Sequence, residues 1–122
     1  MVLDSMIFHD RIAYHTFQGA SVDKSESLAL VESLGEHRAM ILKHHGLLTC
    51  GQSIGEAFIK MYYLERACRV QLAVQSSGQK YTLASDSLCE KTARDYQHFP
   101  HGKFEWPALL RLLDSQHPDY AT

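Results

Sequence analysis

The sequence predicts an α+β fold with strands early and helices late. Short apolar runs broken by glycine fill the first half of the chain, helical periodicity fills the second, and the predicted strands number only two or three. So small a sheet offers too little apolar face for a long amphipathic helix to pack on. The pattern reads as part of a larger layered domain.

Each element has its own local reason. Met6 to Phe17 is rich in aromatic and β-branched residues with partial alternation, which predicts extended structure ending at Gln18-Gly19. Asp23-Lys-Ser-Glu26 has the form of a capped helix start. Leu28, Val31 and Leu34 follow at helical intervals as its inner face, and Gly35 stands where a C′ glycine belongs. Ala39-Met-Ile-Leu42 is a short apolar run suited to a buried strand. It leads through Lys43-His44-His45-Gly46 into a second short strand, Leu47 to Cys50.

Ser53-Ile-Gly-Glu56 is a capping box by residue type and spacing. It opens the longest element, a helix whose stripe is Ile54, Ala57, Phe58, Met61, Leu64, Cys68 and Leu72, closed by Gly78. A further helix is predicted from about Ser85 to His98, with Leu88, Cys89, Thr92 and Tyr96 inward. Phe99-Pro100-His101-Gly102 breaks the chain. A last helix spans Trp106 to Leu113, with Pro107 tolerated in its first turn.

Composition narrows the function. A chain of 122 residues has room for one modest core, and 45% apolar with 21% charged residues is ordinary for a globular protein. The net charge of −2 comes from intermixed signs, so no nucleic-acid partner is expected. Neither a signal peptide nor a spanning segment is expected, so no membrane partner is either. Three widely spaced cysteines form no disulfide framework and no CxxC zinc motif, which suits a reducing cytoplasm. The eight histidines are the one compositional hint of chemistry.

Of these, His45 is the best placed. It follows a buried strand and precedes a glycine, so the strand fixes its Cα while the glycine lets the chain turn its imidazole toward a cleft. Imidazole suits zinc and related divalent ions, but a catalytic zinc takes three protein ligands and one histidine supplies one. From the residues alone, a satisfied buried histidine remains the competing reading. His44 would face the opposite layer of a strand, or orient a ligand by a hydrogen bond.

Lys43-His-His-Gly-Leu-Leu-Thr-Cys-Gly51, with Ile54-Gly-Glu-Ala-Phe58 and Met61-Tyr-Tyr-Leu-Glu-Arg-Ala-Cys68 at this spacing, resembles the class II aldolase/adducin family, and its adducin-like bacterial branch most closely. Tyr14-His-Thr-Phe-Gln-Gly19 and the Trp106 to Asp114 ending extend the likeness over nearly the whole chain. The resemblance implies a three-layer α/β/α fold of which residues 1–122 are the C-terminal part, the N-terminal half of the family domain being absent. It implies a metal-dependent aldolase or epimerase acting on sugar phosphates or related hydroxy-ketones. His45 then corresponds to the last of three ligands to a divalent metal, zinc in the family. The other two ligands come from an upstream HxH motif, which this sequence lacks, as it lacks the upstream acid/base glutamate.

No catalytic residue is therefore assigned. The resemblance implies a part-domain without independent carbon–carbon lyase activity, a split-enzyme half completed by a complementary chain, or a non-catalytic adducin-like assembly module. Family tetramers imply a homo-oligomer here as well, because missing strands leave apolar surface and open edges. Tyr62 and Tyr63 read as packing residues and Glu65-Arg66 as an exposed ion pair. His9, His15, His98 and His101 read as surface or half-buried, and Cys50 and Cys68 as small buried hydrophobes.

Overall fold

The computed structural model describes residues 3–16 and 24–121. In chain order they form α1 (Leu3–Met6), β1 (Ile12–Thr16), α2 (Lys24–Leu34), β2 (Ala39–Lys43), β3 (Gly46–Thr49), α3 (Ile54–Ser76), α4 (Asp86–Gln97) and α5 (Glu105–Gln116), with a 3-10 turn at Pro118–Ala121. The strand ending predicted at Gln18-Gly19 and the cap predicted at Asp23 lie outside the described residues.

The sheet has the order β1-β2-β3. β1 runs parallel to β2, pairing Ile12 with Ala39 and Thr16 with Lys43, while β3 returns antiparallel, pairing Leu42 with Gly46 and Ala39 with Thr49. Alternation along the strands sorts their side chains into two cores. Ala13, Met40 and Leu42 pack with Leu48 under Leu30 and Leu34 of α2. On the other face Ala39, Ile12 and Leu47 meet Phe8 and, from α3, Tyr63, Leu64 and Cys68. The result is α2, sheet, then α1 and α3: an α+β part of a three-layer α/β/α architecture. α4 rests on α1 and α5 on α3.

Capping follows the sequence closely. The Ser53 hydroxyl accepts from the Glu56 amide at 3.1 Å and that of Ser85 from the Leu88 amide at 3.3 Å, satisfying orphan donors at two helix starts. The Glu56 carboxylate reaches back to the Gln52 amide at 2.7 Å, one residue earlier than the usual capping box. Gly35 takes φ +53° and donates to the Val31 carbonyl, ending α2 as predicted.

The buried faces differ from the predicted ones. In α2, Leu28 and Val31 are exposed, and Leu30 with Leu34 carries the packing. In α3 the predicted stripe holds only in part: Leu64 is buried and Cys68 packs against the same core, but Ile54, Phe58 and Leu72 are exposed, whereas Gly55, Ile59 and Ala67 are buried. α3 is apolar on more than one face, so periodicity alone leaves open which face the sheet takes. Leu88 of α4 is likewise exposed, whereas Cys89 points inward as predicted, together with Ala93.

Extended structure was predicted from Met6, yet the chain first makes α1 and a turn in which Asp10 sits at φ +51°. That turn drives Phe8 into the core beside Leu64, and the strand begins only at Ile12. Arg66 pairs with Asp4 at 2.9 Å instead of with Glu65, which lies 3.7 Å from Arg69 one turn on. Adjacent helical residues do not face each other, which explains the correction. Cys50 and Cys68 are half-buried, and Cys89 is the fully buried cysteine.

Candidate metal-ligand site

His45 sits at the tip of the sheet's central hairpin. Leu42 to His45 form a tight turn closed by the His45 amide donating to the Leu42 carbonyl at 3.1 Å. Its third residue, His44, adopts φ +62°, the left-handed conformation that the third position of a type II turn requires and that β-branched residues avoid. Gly46 follows at φ +155° with open space where a Cβ would stand. The glycine is thus needed for backbone conformation and not for room.

This geometry corrects one step of the sequence reading. His44 and His45 do not alternate on a strand; both are exposed turn residues just past the end of β2. Strand β2 anchors the turn through its paired neighbours on both sides. Tyr62 is exposed and Tyr63 half-buried against the core, so only the second packs as expected.

Among the described residues, no group of three histidine, cysteine, aspartate or glutamate side chains is placed to hold a metal ion. The donor set present does not by itself fit a catalytic metal, which needs three protein ligands and an open position. His45 supplies one imidazole and a fixed backbone.

Sequence reasoning missed a cavity of about 630 Å³ at the other end of β2, where Arg38 leads into the strand. Its walls include Arg11, Arg38, Glu56, Lys60, Tyr96 and His101. Arg11 forks onto Glu90 with 2.8 and 3.0 Å bonds across 79 residues of sequence, tying the start of β1 to α4. That bond raises the Arg11 guanidinium and holds the Glu90 carboxyl below the usual carboxylate range. Burial pushes Glu56 up, but bonds from the Lys60 ammonium at 2.5 Å and from the Gln52 amide outweigh it, leaving this carboxyl low as well.

His101 and His15 are both buried, contrary to the expectation of surface or half-buried positions. His101 donates from Nε2 to the Tyr96 carbonyl at 3.1 Å within a ring of Tyr63, Tyr96 and Phe99. His15 Nδ1 lies 2.9 Å from the Ser33 hydroxyl, linking β1 to α2. Neither burial had a signal in the sequence, because both depend on which helix comes to cover the residue.

With this geometry in hand, the chain can be placed. Residues 3–72, more than half of its length, match the family described as Class II Aldolase and Adducin N-terminal domain. A class 2 aldolase-type protein of Pseudomonas aeruginosa is 37% identical over 95% of this chain and 47% of its own length. Rat alpha-adducin is 30% identical over 85% of the chain and 16% of its own length. An aldolase II superfamily protein from Pseudomonas syringae superposes with a TM-score of 0.87 at 35% identity, covering 100% of this chain and 50% of that one. L-Fuculose 1-phosphate aldolase from Glaciozyma antarctica superposes with a TM-score of 0.70 at 27% identity, over 93% of this chain and 42% of its own. The chain belongs to the class II aldolase and adducin family. It spans about half the length of the bacterial relatives it matches.

Proposed function

We propose that this chain is the C-terminal part of a class II aldolase/adducin domain that contributes His45 as one ligand of a divalent metal centre, zinc by analogy with the family. The remaining ligands and the proton-transfer group come from outside its described residues, and the chain does not catalyse alone. One observation carries the reading. His45 is exposed at the hairpin tip, in a segment that belongs to the family, while among the described residues no three-ligand cluster accompanies it. A completed site would act on a small hydroxy-ketone or sugar phosphate, the substrate class suggested by the L-fuculose 1-phosphate aldolase neighbour. What this chain's own residues do there is limited: the Leu42–His45 turn holds the imidazole and Gly46 lets the backbone double back beneath it.

A second reading, an adducin-like assembly module, is favoured by a different observation. A groove of about 300 Å³ between α3 and α5 is lined by Phe58, Trp106, Leu109 and Leu112, almost wholly apolar. Such a surface suits homo-oligomer contacts. Three cysteines without a disulfide fit a cytoplasmic setting, and among the described residues no helix is long and apolar enough to cross a membrane.

Metal content per chain after gel filtration, for wild type and His45→Ala, tests the first reading. The chain alone should retain no stoichiometric zinc. In the presence of the rest of a family domain it should retain zinc that His45→Ala removes. Zinc held equally by both proteins would sink the assignment of His45.

A further inference from the structure

The cavity of about 630 Å³ lies at the end of β2 opposite the His45 hairpin. Five residues of strand, about 16 Å, separate the two, so a molecule held there would be remote from the metal-ligand position. The volume is that of a small-molecule site. The walls belong to this chain: the segment from Leu34 to Ala39, the first two turns of α3, the end of α4 and the turn before β1.

The charges of the wall divide into paired and unpaired. Arg11 is held by Glu90, and Lys60 by Glu56, which also accepts from the Gln52 amide. These pairs are closed within the protein. Arg38 and Glu36 are the other charged side chains of the wall; both are exposed, and neither makes an ion pair among the described residues. Ile7, Phe8, Leu34 and Ala39 supply apolar surface. The half-buried Tyr96 ring, packed on Phe99 and His101, adds a flat face.

A guanidinium offers a planar fork that matches a carboxylate. Glu36, two residues away, limits the charge the site tolerates. A second negative charge on a ligand would meet a carboxylate with no cation of its own. The unpaired charges therefore favour a monoanion over a phosphate dianion, and the apolar surface favours one carried on a hydrophobic body.

We infer that this cavity binds a small monocarboxylate with a flat apolar body, its carboxylate on Arg38 and its body against Tyr96 and the apolar wall. The inference is independent of His45 and of any metal.

Calorimetric titration of the 122-residue chain with benzoate, phenyl phosphate, acetate and phenol is the test. Benzoate should bind one-to-one and saturably, more tightly than the other three. Arg38→Ala should weaken it about tenfold or more at an unchanged melting temperature, and Arg38→Lys, which keeps the charge and loses the fork, should fall between. Lys91→Ala removes an equal charge outside the cavity and should bind as wild type does. Glu36→Gln should narrow the preference for benzoate over phenyl phosphate. In amide NMR spectra, benzoate should shift Ala39, Cys50 and Tyr96. No saturable benzoate binding, equal affinity in wild type and Arg38→Ala, an equal loss in Lys91→Ala, or shifts centred on His45 and Gly46 would overturn the site. Phenyl phosphate bound as tightly as benzoate would overturn the monocarboxylate. Phenol bound as tightly would overturn the role of charge, and acetate that of the apolar body.

Discussion

Gly102 lies so close to Gly55 that a Cβ built on it would fall 2.4 Å from the Gly55 carbonyl carbon. The contact seats the loop between α4 and α5 on the first turn of α3, and Gly102 reaches it at φ +80°. Both the conformation and the approach demand glycine. Gly102→Ala is expected to cost about 2–5 kcal/mol, summing a left-handed alanine and a backbone collision. Gly78 at φ +65° has nothing within 4 Å of its would-be Cβ, so Gly78→Ala should cost only about 1–2 kcal/mol. Urea denaturation of the two variants reads the difference, and equal losses would mean that the close approach contributes nothing.

The turn at His44 makes an opposite prediction. A histidine at φ +62° bears a conformational penalty that glycine lacks, and glycine's greater freedom in the unfolded chain offsets part of the gain. His44→Gly should therefore stabilise by about 0.5–1 kcal/mol, and His44→Val should destabilise. Thermal melts of both variants check the sign.

Leu64 and Leu72 belong to one predicted stripe but have different fates, 1% and 62% exposed. Leu64→Ala opens the core beside Phe8 and Ala39 and should cost about 2–5 kcal/mol, whereas Leu72→Ala should change stability by less than about 0.5 kcal/mol. Similar values from denaturant titration would restore the predicted stripe.

Acid should weaken the Glu56–Lys60 and Arg11–Glu90 ion pairs before the cores. The folded-state pKa of both Glu56 and Glu90 lies below the ordinary value. Their contribution is present above the unfolded value of about 4.3 and is lost as pH falls through the lower folded values. Glu56→Gln should therefore lower the urea midpoint at neutral pH, and the gap to wild type should close in strong acid. A gap independent of pH would mean that the Glu56 charge plays no part.

Local chemistry along the chain was enough to place most elements. Ser53 and Ser85 cap helices because a hydroxyl finds an orphan amide within one turn, Gly35 ends one because it enters the left-handed region at no cost, and Ala39 to Leu42, a short apolar run bounded by polar residues, suits the buried strand it forms. The family, too, was legible in the Lys43–Gly51 and Met61–Cys68 segments. Which face of α2 and α3 turns inward was decided by tertiary packing, since both helices carry apolar residues all round and only the position of the sheet chooses among them. The burial of His15 and His101, the Arg11–Glu90 fork and the cavity behind Arg38 arose in the same way. Each joins segments remote in sequence, and no residue spacing along a chain encodes a contact that exists only when two surfaces meet.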